Sequence, residues 1–260
     1  MDNKYVMITG ASSGIGLETA RKMARRGKNL ILVARRQEKL KEIKNELKSK
    51  YISIDIVVKE FDLTDTDKIR DLWESLAKFD IEALINNAGI GMYSLVENQS
   101  YEKTQMLIKL NVEALVLLTT LFVNKYSAVA GTQVINISSS GGYTIVPTAT
   151  TYCASKFFVS SFTEGLALEL RENGAKMQAK VLAPSATETE FGKLANNVNE
   201  YDYDKVFSRY HTAKQVATFL MTLYDGNAIV GFVNRDTFEF EMGDNFFETS
   251  YGKGSNQNLS

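Results

Sequence analysis

A glycine-rich stretch near the start of the chain decides the fold: Thr9-Gly10-Ala11-Ser12-Ser13-Gly14-Ile15-Gly16. It lies between an apolar run, residues 5–8, that predicts a buried strand and a segment from about 16 to 26 that predicts a helix. Glycines permit a tight turn, a close approach of the main chain to a ligand, and close helix–strand packing. The free N–H groups at such a helix N-terminus attract a pyrophosphate. The stretch therefore predicts a dinucleotide site, with a purely structural turn as the alternative.

Apolar runs and amphipathic segments alternate along the rest of the chain. The runs predict six further strands, at residues 29–34, 52–58, 83–86, 133–137, 178–183 and 229–233. The amphipathic segments predict helices around 40–47 and 69–76, and over about 100–125, 152–172 and 216–224. Continuous apolar strands between helices are typical of a parallel sheet covered on both faces. The pattern predicts an α/β fold with a doubly wound parallel sheet of about seven strands.

The composition is that of an ordinary globular protein. Of the 260 residues, 44% are hydrophobic and 23% are charged, and there are two prolines. These values exclude a mainly disordered, collagen-like or proline-rich chain. Since no linker or internal repeat is visible, we expect residues 1–260 to form one domain.

Charge and cysteine content limit the partners. The 30 basic and 31 acidic residues nearly cancel, so no nucleic-acid partner is expected. The single cysteine, Cys153, cannot form an intrachain disulfide, and with the single histidine, His211, it cannot make a multi-cysteine zinc site. We therefore expect no metal. The low cysteine count, the lack of a visible targeting segment and the lack of an apolar run of about 20 residues predict a cytoplasmic protein without membrane association.

Two further segments have no regular pattern. Residues 192–209 are polar and weakly periodic. In a doubly wound sheet they would lie beyond the carboxyl end of a strand, where ligands bind, so the region 185–210 is a candidate substrate lid. An ordinary surface loop is the alternative. Residues 251–260 are predicted to form a frayed tail.

Several motifs resemble, in their order, those of the short-chain dehydrogenase/reductase family, in its NADP-preferring branch. They are the glycine spacing G-x-x-x-G-x-G, Asn86-Asn87-Ala88-Gly89, Asn111, Ser139 and Tyr152-Cys153-Ala154-Ser155-Lys156. Together they span residues 6–189, most of the chain. The resemblance implies a Rossmann-type oxidoreductase that acts on a carbonyl or secondary alcohol of a small molecule. It also implies a homodimer or homotetramer formed through the two long helices.

The residues after the second predicted strand favour NADP(H). An NAD enzyme usually has an acid at the end of this strand, whereas this chain has Ala34, followed by Arg35 and Arg36, whose guanidinium groups suit a 2′-phosphate. Two solvated arginines at the start of a charged helix are the alternative. The resemblance implies further cofactor contacts from the glycine turn, the adenine end and the nicotinamide end: Gly10, Ser12, Ser13, Gly14, Ile15, Gly16, Asp62, Leu63, Asn86, Tyr152, Lys156 and Thr189.

The candidate catalytic residues are Asn111, Ser139, Tyr152 and Lys156. Tyr152 and Lys156 lie four positions apart on a predicted helix, so they share one face. A nearby ammonium is expected to lower the phenol pKa from its usual value of about 10. The resemblance implies that Tyr152 is the general acid/base, that Ser139 holds the substrate oxygen, and that Asn111 helps a water connect Lys156 to solvent. An ordinary amphipathic helix start is the alternative for Tyr152 and Lys156 alone.

The chain departs from the family pattern on the substrate side. Ser185 follows Pro184 where the family usually has glycine, and residues 234–236 read Asn-Arg-Asp in place of Asp-Gly-Gly. Tyr143, Ile145 and Phe191 suggest a partly apolar substrate pocket, with core packing as the alternative. An NADP(H)-binding regulatory or scaffold protein is the rival function, and enoyl reduction is another. The three-residue gap between Tyr152 and Lys156 favours carbonyl chemistry.

Overall fold

A central sheet organises the part of the chain that the computed structural model describes, residues 4–249. The predicted tail, residues 251–260, lies outside this range. The eight strands of the sheet are β1 (Lys4–Thr9), β2 (Asn29–Ala34), β3 (Ile56–Glu60), β4 (Asp80–Asn86), β5 (Gln133–Ile137), β6 (Gln178–Ala183), β9 (Val230–Val233) and β10 (Phe240–Gly243). They follow the order β10-β9-β6-β5-β4-β1-β2-β3, and all neighbours are parallel except β9 and β10. A separate parallel pair is formed by β7 (Thr187–Glu188) and β8 (His211–Thr212).

Helices connect the strands. They are α1 (Gly14–Arg25), α2 (Gln37–Lys50), α3 (Ile69–Glu74), α4 (Tyr101–Ile108), α5 (Ala114–Tyr126), α6 (Thr150–Glu172), α7 (Phe191–Asn196), α8 (Tyr203–Val206) and α9 (Ala213–Asp225). The helix predicted over 100–125 is α4 and α5 joined by a π-helical segment, Lys109–Glu113. By length and composition the stretch Tyr101–Tyr126 could cross a membrane, with a mean hydropathy of 1.9 in its most apolar window. The core helix of a globular protein meets the same criteria, so this finding assigns no membrane span.

Two hydrophobic cores lie on opposite faces of the sheet. Side chains of a strand alternate between faces, so Val6 and Ile8 pack with α1, α2 and α9, whereas Met7 packs with α3, α5 and α6. Both faces of β1 are thus covered, as the unbroken apolar run predicts. The prediction of a doubly wound α/β sheet with helices on both faces is confirmed.

The sheet has one more strand than the seven that were predicted. The additional strand, β10, pairs antiparallel with β9 at the edge, and its residues are half-buried or exposed. Its sequence, FEMG, has no apolar run that could have marked it as a buried strand. The third strand was predicted over residues 52–58, but β3 spans Ile56–Glu60. Ile52 lies in the turn before it, with 83% of its surface exposed.

The strand order places a crevice between β1 and β4. From β1 the chain winds to β2 and β3 on one side, and from β4 to β5 and β6 on the other. Connections from neighbouring strands diverge at such a switch point and leave a crevice at the carboxyl ends of the strands. The glycine turn after β1 and the residues after β4, β5 and β6 all open onto it.

Candidate active site

A cavity of about 960 Å³ occupies this crevice. The glycine turn forms one end of its wall, and the β5–α6 region and residues 184–209 form the other. Its volume lies at the upper end of the range for small-molecule and cofactor sites. Most of the predicted site residues line this cavity: Gly10, Ser12, Ser13, Gly14, Ile15, Arg35, Arg36, Asp62, Leu63, Ser139, Tyr152, Lys156 and Thr189.

The glycine turn has the backbone geometry that the sequence predicts. Gly10 and Gly14 have φ angles of 65° and 55°, in the left-handed region that favours glycine. A Cβ on Gly16 would lie 2.5 Å from the carbonyl oxygen of Gly10, so only glycine fits the contact between turn and helix. The side chain of Ser13 does not cap α1, which leaves the first-turn N–H groups free of a side-chain acceptor. The turn therefore fits a pyrophosphate.

The residues after β4 hold the glycine turn in place. The Asn87 side-chain amide donates to the carbonyl oxygens of Thr9 and Gly10, at 3.0 and 3.3 Å. The backbone N–H of Asn87 donates in turn to the Thr9 hydroxyl, at 3.0 Å. Asn86 points the other way, and its amide donates to Thr119 and Asn136 inside the protein. Asn86 is buried and is not among the residues that line the cavity, so a contact of Asn86 with adenosine stays a prediction.

The two arginines after β2 have different surroundings. The guanidinium of Arg35 is exposed, and its Nη1 lies 3.8 Å from a carboxylate oxygen of Asp62. The guanidinium of Arg36 contacts the hydroxyls of Ser12 and Ser13 and the carboxylate of Glu190. Arg35 therefore has the more accessible guanidinium for a 2′-phosphate, and the contribution of either arginine to cofactor choice stays a prediction.

Ser139 and Tyr152 meet beside Gly141. The Ser139 Oγ and a ring carbon of Tyr152 lie 3.5 and 3.7 Å from the position that a Cβ on Gly141 would take. A side chain at residue 141 would thus occupy the space next to both hydroxyl-bearing groups. The Ser139 hydroxyl also accepts a hydrogen bond from the Gly141 N–H at 3.1 Å, which fixes its orientation.

Lys156 and Asn111 meet beside Gly89. The Lys156 Nζ lies 3.6 Å, and the Asn111 Oδ1 3.2 Å, from the position that a Cβ on Gly89 would take. Lys156 is buried and donates to the carbonyl oxygen of Ile137 at 2.8 Å. Asn111 sits in the π-helical segment, where its amide exchanges two 2.9 Å hydrogen bonds with the main chain of Ile90. Such π-helical turns within a helix often mark functional sites, because they reorient a side chain.

The pKa of Tyr152 does not follow the sequence-based expectation. Burial raises the pKa of the phenol above its ordinary value, and a hydrogen bond with Ser139 opposes this rise. The Nζ of Lys156 lies 5.9 Å from the centre of the Tyr152 ring. Burial lowers the pKa of Lys156 to about 8. The expected lowering of the phenol pKa by the ammonium is therefore not confirmed, because loss of hydration dominates at both groups.

Sequence reasoning missed most of the aromatic wall on the substrate side. The ring centres of Tyr93 and Phe191 lie 6.1 and 5.6 Å from that of Tyr152. Tyr203 stacks on Phe207 and meets Tyr201 edge to face, and all three rings also line the cavity. Most of these rings belong to residues 185–210, so the candidate lid forms part of the cavity wall. The sequence signal that could have revealed them is the number of aromatic residues in the otherwise polar stretch 185–210.

Two of the residues suggested for the pocket lie elsewhere. Ile145 has 74% of its surface exposed. Tyr143 does not line the cavity: its hydroxyl donates to the buried Glu164 at 2.5 Å, and its ring stacks on Phe247. The position of Tyr143 depends on contacts with C-terminal residues, which sequence periodicity does not reveal.

His211 and Cys153 lie in separate environments. The His211 ring stacks on Phe238 at 4.5 Å, and Cys153 is a buried free thiol beside Gly141. Within residues 4–249, no group of three or more His, Cys, Asp or Glu side chains could hold a metal ion.

Comparison with known proteins identifies the family. Residues 4–200 match the short chain dehydrogenase family, and the chain belongs to that family. It is 32% identical over 203 residues to an uncharacterized oxidoreductase of Staphylococcus saprophyticus, covering 77% of this chain and 79% of that one. It is 31% identical over 211 residues to an NADP-dependent 3-hydroxy acid dehydrogenase of Schizosaccharomyces pombe, covering 80% of each.

Solved structures give the same result. A short-chain dehydrogenase from Sphingobium yanoikuyae in complex with NADPH superposes with a TM-score of 0.81 at 28% identity, over 90% of this chain and 89% of that one. A ketone-specific alcohol dehydrogenase from Comamonas testosteroni superposes with a TM-score of 0.75 at 27% identity, over 89% and 86%. The protein is thus an oxidoreductase of the short-chain dehydrogenase/reductase family.

Proposed function

We propose that the protein transfers a hydride between NADP(H) and a carbonyl or secondary alcohol of a small organic molecule, with Tyr152 as general acid/base. One observation carries the proposal: Ser139, Tyr152 and Lys156 line the same cavity as the glycine turn. The residues present fit a dinucleotide, with the glycine turn for the pyrophosphate and Thr189 and Lys156 toward the nicotinamide end. When bound, the reduced cofactor supplies the hydride.

Tyr152 supplies the proton in the reductive direction. Because burial raises the pKa of its phenol, the hydroxyl is protonated at neutral pH. As negative charge develops on the substrate oxygen, the phenol donates its proton to that oxygen. The Ser139 hydroxyl lies beside the Tyr152 ring and donates a hydrogen bond to the same oxygen.

Lys156 and Asn111 return the proton to Tyr152. The pKa of Lys156 is about 8, so its ammonium is charged at neutral pH and close to its titration point. Asn111 is anchored to Ile90 and holds its oxygen beside the same glycine as the Lys156 amine. Lys156 lines the cavity, and Asn111 is buried directly behind it, so together they can hold a water that carries a proton to Tyr152.

The preference for NADP(H) rests on Arg35, with Arg36 in support. Arg35 is exposed and lines the cavity, and its ion pair with Asp62 is long, at 3.8 Å, so its guanidinium can form charge-assisted bonds to a 2′-phosphate. The names of two similar proteins, one NADP-dependent and one solved with NADPH, support this choice.

The rival function is that of an NADP(H)-binding regulatory or scaffold protein. Such a protein needs only the cofactor end of the crevice. The presence of Ser139, Tyr152 and Lys156 at the other end of the same cavity supports the enzyme.

The test is oxidation of NADPH and of NADH over a panel of aldehydes, ketones and keto-esters, with Tyr152→Phe as the control. We expect NADPH-dependent turnover of at least one carbonyl class and its loss in the variant. Turnover that is unaffected by Tyr152→Phe would remove the mechanism, and preference for NADH would separately refute the argument from Arg35.

A homodimer or homotetramer is also part of the proposal. Apolar side chains on α4, α5 and α6 are exposed, among them Met106, Leu117 and Phe158, at 40%, 37% and 41%. A second copy packed on these helices would bury them. Light scattering at micromolar protein concentration tests this, and a monomeric mass contradicts it. We propose a cytoplasmic location from the single cysteine, testable by cell fractionation.

A further inference from the structure

An ion pair joins the two sides of the cofactor crevice. Arg36 lies two residues beyond the end of β2, and Glu190 lies in the segment that follows β6. In the sheet these strands are separated by β1, β4 and β5, so their axes lie about 19 Å apart at the usual strand spacing. Arg36 Nη1 nevertheless donates to Glu190 Oε2 at 3.0 Å. The segment after β6 must therefore return across the crevice to reach Arg36.

The pair lies over the glycine turn. The Nε and Nη2 of Arg36 donate to the Ser12 hydroxyl at 3.2 and 3.0 Å, and Nη2 also donates to the Ser13 hydroxyl at 2.8 Å. Thr189, next to Glu190, places its Cγ2 3.1 Å from the position that a Cβ on Gly14 would take. The guanidinium is thus fixed by the turn that fits the pyrophosphate, with Glu190 on its outer side.

The same segment reaches the catalytic end of the cavity. Phe191, directly after Glu190, begins α7, and its ring lies 5.6 Å from the ring of Tyr152. Burial tends to raise the pKa of Glu190, but hydrogen bonds from Arg36 and Ser13 hold that pKa below its ordinary value. Glu190 is therefore charged at neutral pH, and its attraction to Arg36 persists under ordinary assay conditions.

We propose that Arg36 and Glu190 form a clasp that closes the crevice over the bound dinucleotide and slows its release. This inference rests on the proposed function, because it requires a dinucleotide in the crevice. Glu190 is then a positioning residue for the cofactor. Because the clasp lies over the turn that holds the pyrophosphate, which NADPH and NADH share, it retards the release of both equally. Arg35 is then the guanidinium that binds the 2′-phosphate directly, and Arg36 supports the choice of NADP(H) only through its nearby positive charge.

The test is Glu190→Gln, with Glu188→Gln as the matched control. Glu188 lies two residues earlier, is exposed, and forms no ion pair within the described part of the chain. Release of NADPH and of NADH is followed in a stopped-flow instrument by the fluorescence of the reduced nicotinamide. We expect Glu190→Gln to raise both release rates by the same factor, about three- to fivefold, since the pair is partly exposed. Glu188→Gln should leave both rates unchanged.

A double-mutant cycle tests whether the two residues act together. With NADH, which has no 2′-phosphate, the variants are Arg36→Gln, Glu190→Gln and the two combined. If the clasp is the unit that retains the cofactor, the combined variant releases NADH about as fast as the faster of the two single variants. Multiplication of the two single effects would show that the residues act independently, and would overturn the proposal.

Three further outcomes of these experiments would refute the clasp. If Glu190→Gln tightens NADPH alone, Glu190 competes with the 2′-phosphate for Arg36, and the clasp is refuted. If it changes neither release rate, the clasp is likewise refuted, while the proposed function stands. If the unaltered protein binds neither NADPH nor NADH, the proposed function fails and the clasp fails with it.

Discussion

The cofactor end and the substrate end of the cavity are built in different ways. The cofactor end depends on one short segment, in which Gly10 and Gly14 adopt left-handed backbone angles and Gly16 touches the turn directly. The substrate end combines rings from distant parts of the chain, including Tyr93 and Phe191. The cofactor end is thus a backbone structure, and the substrate end is a side-chain structure.

Because of this difference, the two ends of the cavity tolerate amino-acid substitutions to different degrees. A backbone cradle tolerates few substitutions, because a single Cβ meets main-chain atoms. A wall of stacked rings can exchange one side chain for another and alter the shape of the pocket. Phe238 belongs to this wall of rings: it lines the cavity and stacks on His211. Its φ of 61° is unusual for a bulky residue. We therefore expect substitutions at the two ends to affect cofactor affinity and substrate turnover separately.

Among the changes that compare the two ends of the cavity, the largest effect on cofactor affinity is expected from Gly16→Ala. The new Cβ would lie 2.5 Å from the Gly10 carbonyl oxygen and 2.6 Å from the Asn87 amide nitrogen. The turn must shift, so NADPH should bind about 30- to 100-fold more weakly, the equivalent of about 2 to 3 kcal/mol. Titration of NADPH fluorescence measures the affinity, and circular dichroism verifies folding. A folded variant with unaltered affinity would show that the turn does not hold the cofactor.

Phe191→Ala should have the next largest effect, and at the other end. Its ring packs against Tyr152 and within 2.5 Å of the position of a Cβ on Gly91. Loss of this wall should lower kcat/KM about 20-fold, since a misplaced substrate loses orientation. The affinity for NADPH, titrated on the same protein, should change less than about threefold, because the glycine turn is untouched. Equal losses of both quantities would contradict the separation of the two ends.

Arg35→Gln sharpens the account of the cofactor end. Loss of a charge-assisted hydrogen bond to the 2′-phosphate should weaken NADPH about tenfold and leave NADH nearly unchanged. Arg70→Gln, which alters an exposed arginine outside the cavity, serves as the control. Binding titrations with both cofactors provide the measurement. If the variant binds NADH and NADPH more weakly by the same factor, Arg35 contributes to the binding of both cofactors and does not recognise the 2′-phosphate.

The smallest effect concerns pH at the substrate end. Burial lowers the pKa of Lys156 to about 8, so its ammonium loses its proton as the pH rises through that value. At saturating substrate, the reduction rate at pH 8 should be about half of that at pH 6.5. Burial also lowers the pKa of Lys180 to about 8, and this residue lies outside the cavity under the end of α9. Lys180→Met should therefore retain the same pH profile. If the profile changes in this variant, Lys156 is not the group whose titration sets the pH dependence of the rate.

The linkage to stability has a definite sign. Folding favours the neutral form of Lys156, whose folded pKa is below its unfolded value of 10.5. Between about pH 8 and 10.5 the unfolded chain binds the extra proton, so this residue makes the protein more stable as the pH rises. Lys180 contributes in the same direction.

The sequence predicted the parts of the site that depend on local pattern. The glycine turn, the helical spacing of Tyr152 and Lys156, and the strand–helix alternation each have a periodic or short-range signal. The Arg36–Glu190 pair had none, because its partners are 154 residues apart and meet only when the chain returns across the crevice. β10 was missed because an exposed edge strand has no apolar run. The pKa of Tyr152 differs from the sequence-based expectation because burial, which the sequence does not show, raises it.

Single-turnover reduction by Tyr152→Phe, with Tyr93→Phe as the matched control, tests the central claim most directly. Both tyrosines line the same cavity, with ring centres 6.1 Å apart, and each substitution removes one hydroxyl. With NADPH and a carbonyl substrate saturating, Tyr152→Phe should slow hydride transfer about a thousandfold and Tyr93→Phe less than about tenfold, with NADPH still bound by both. Hydride transfer by Tyr152→Phe at a rate close to that of the unaltered protein would contradict the account.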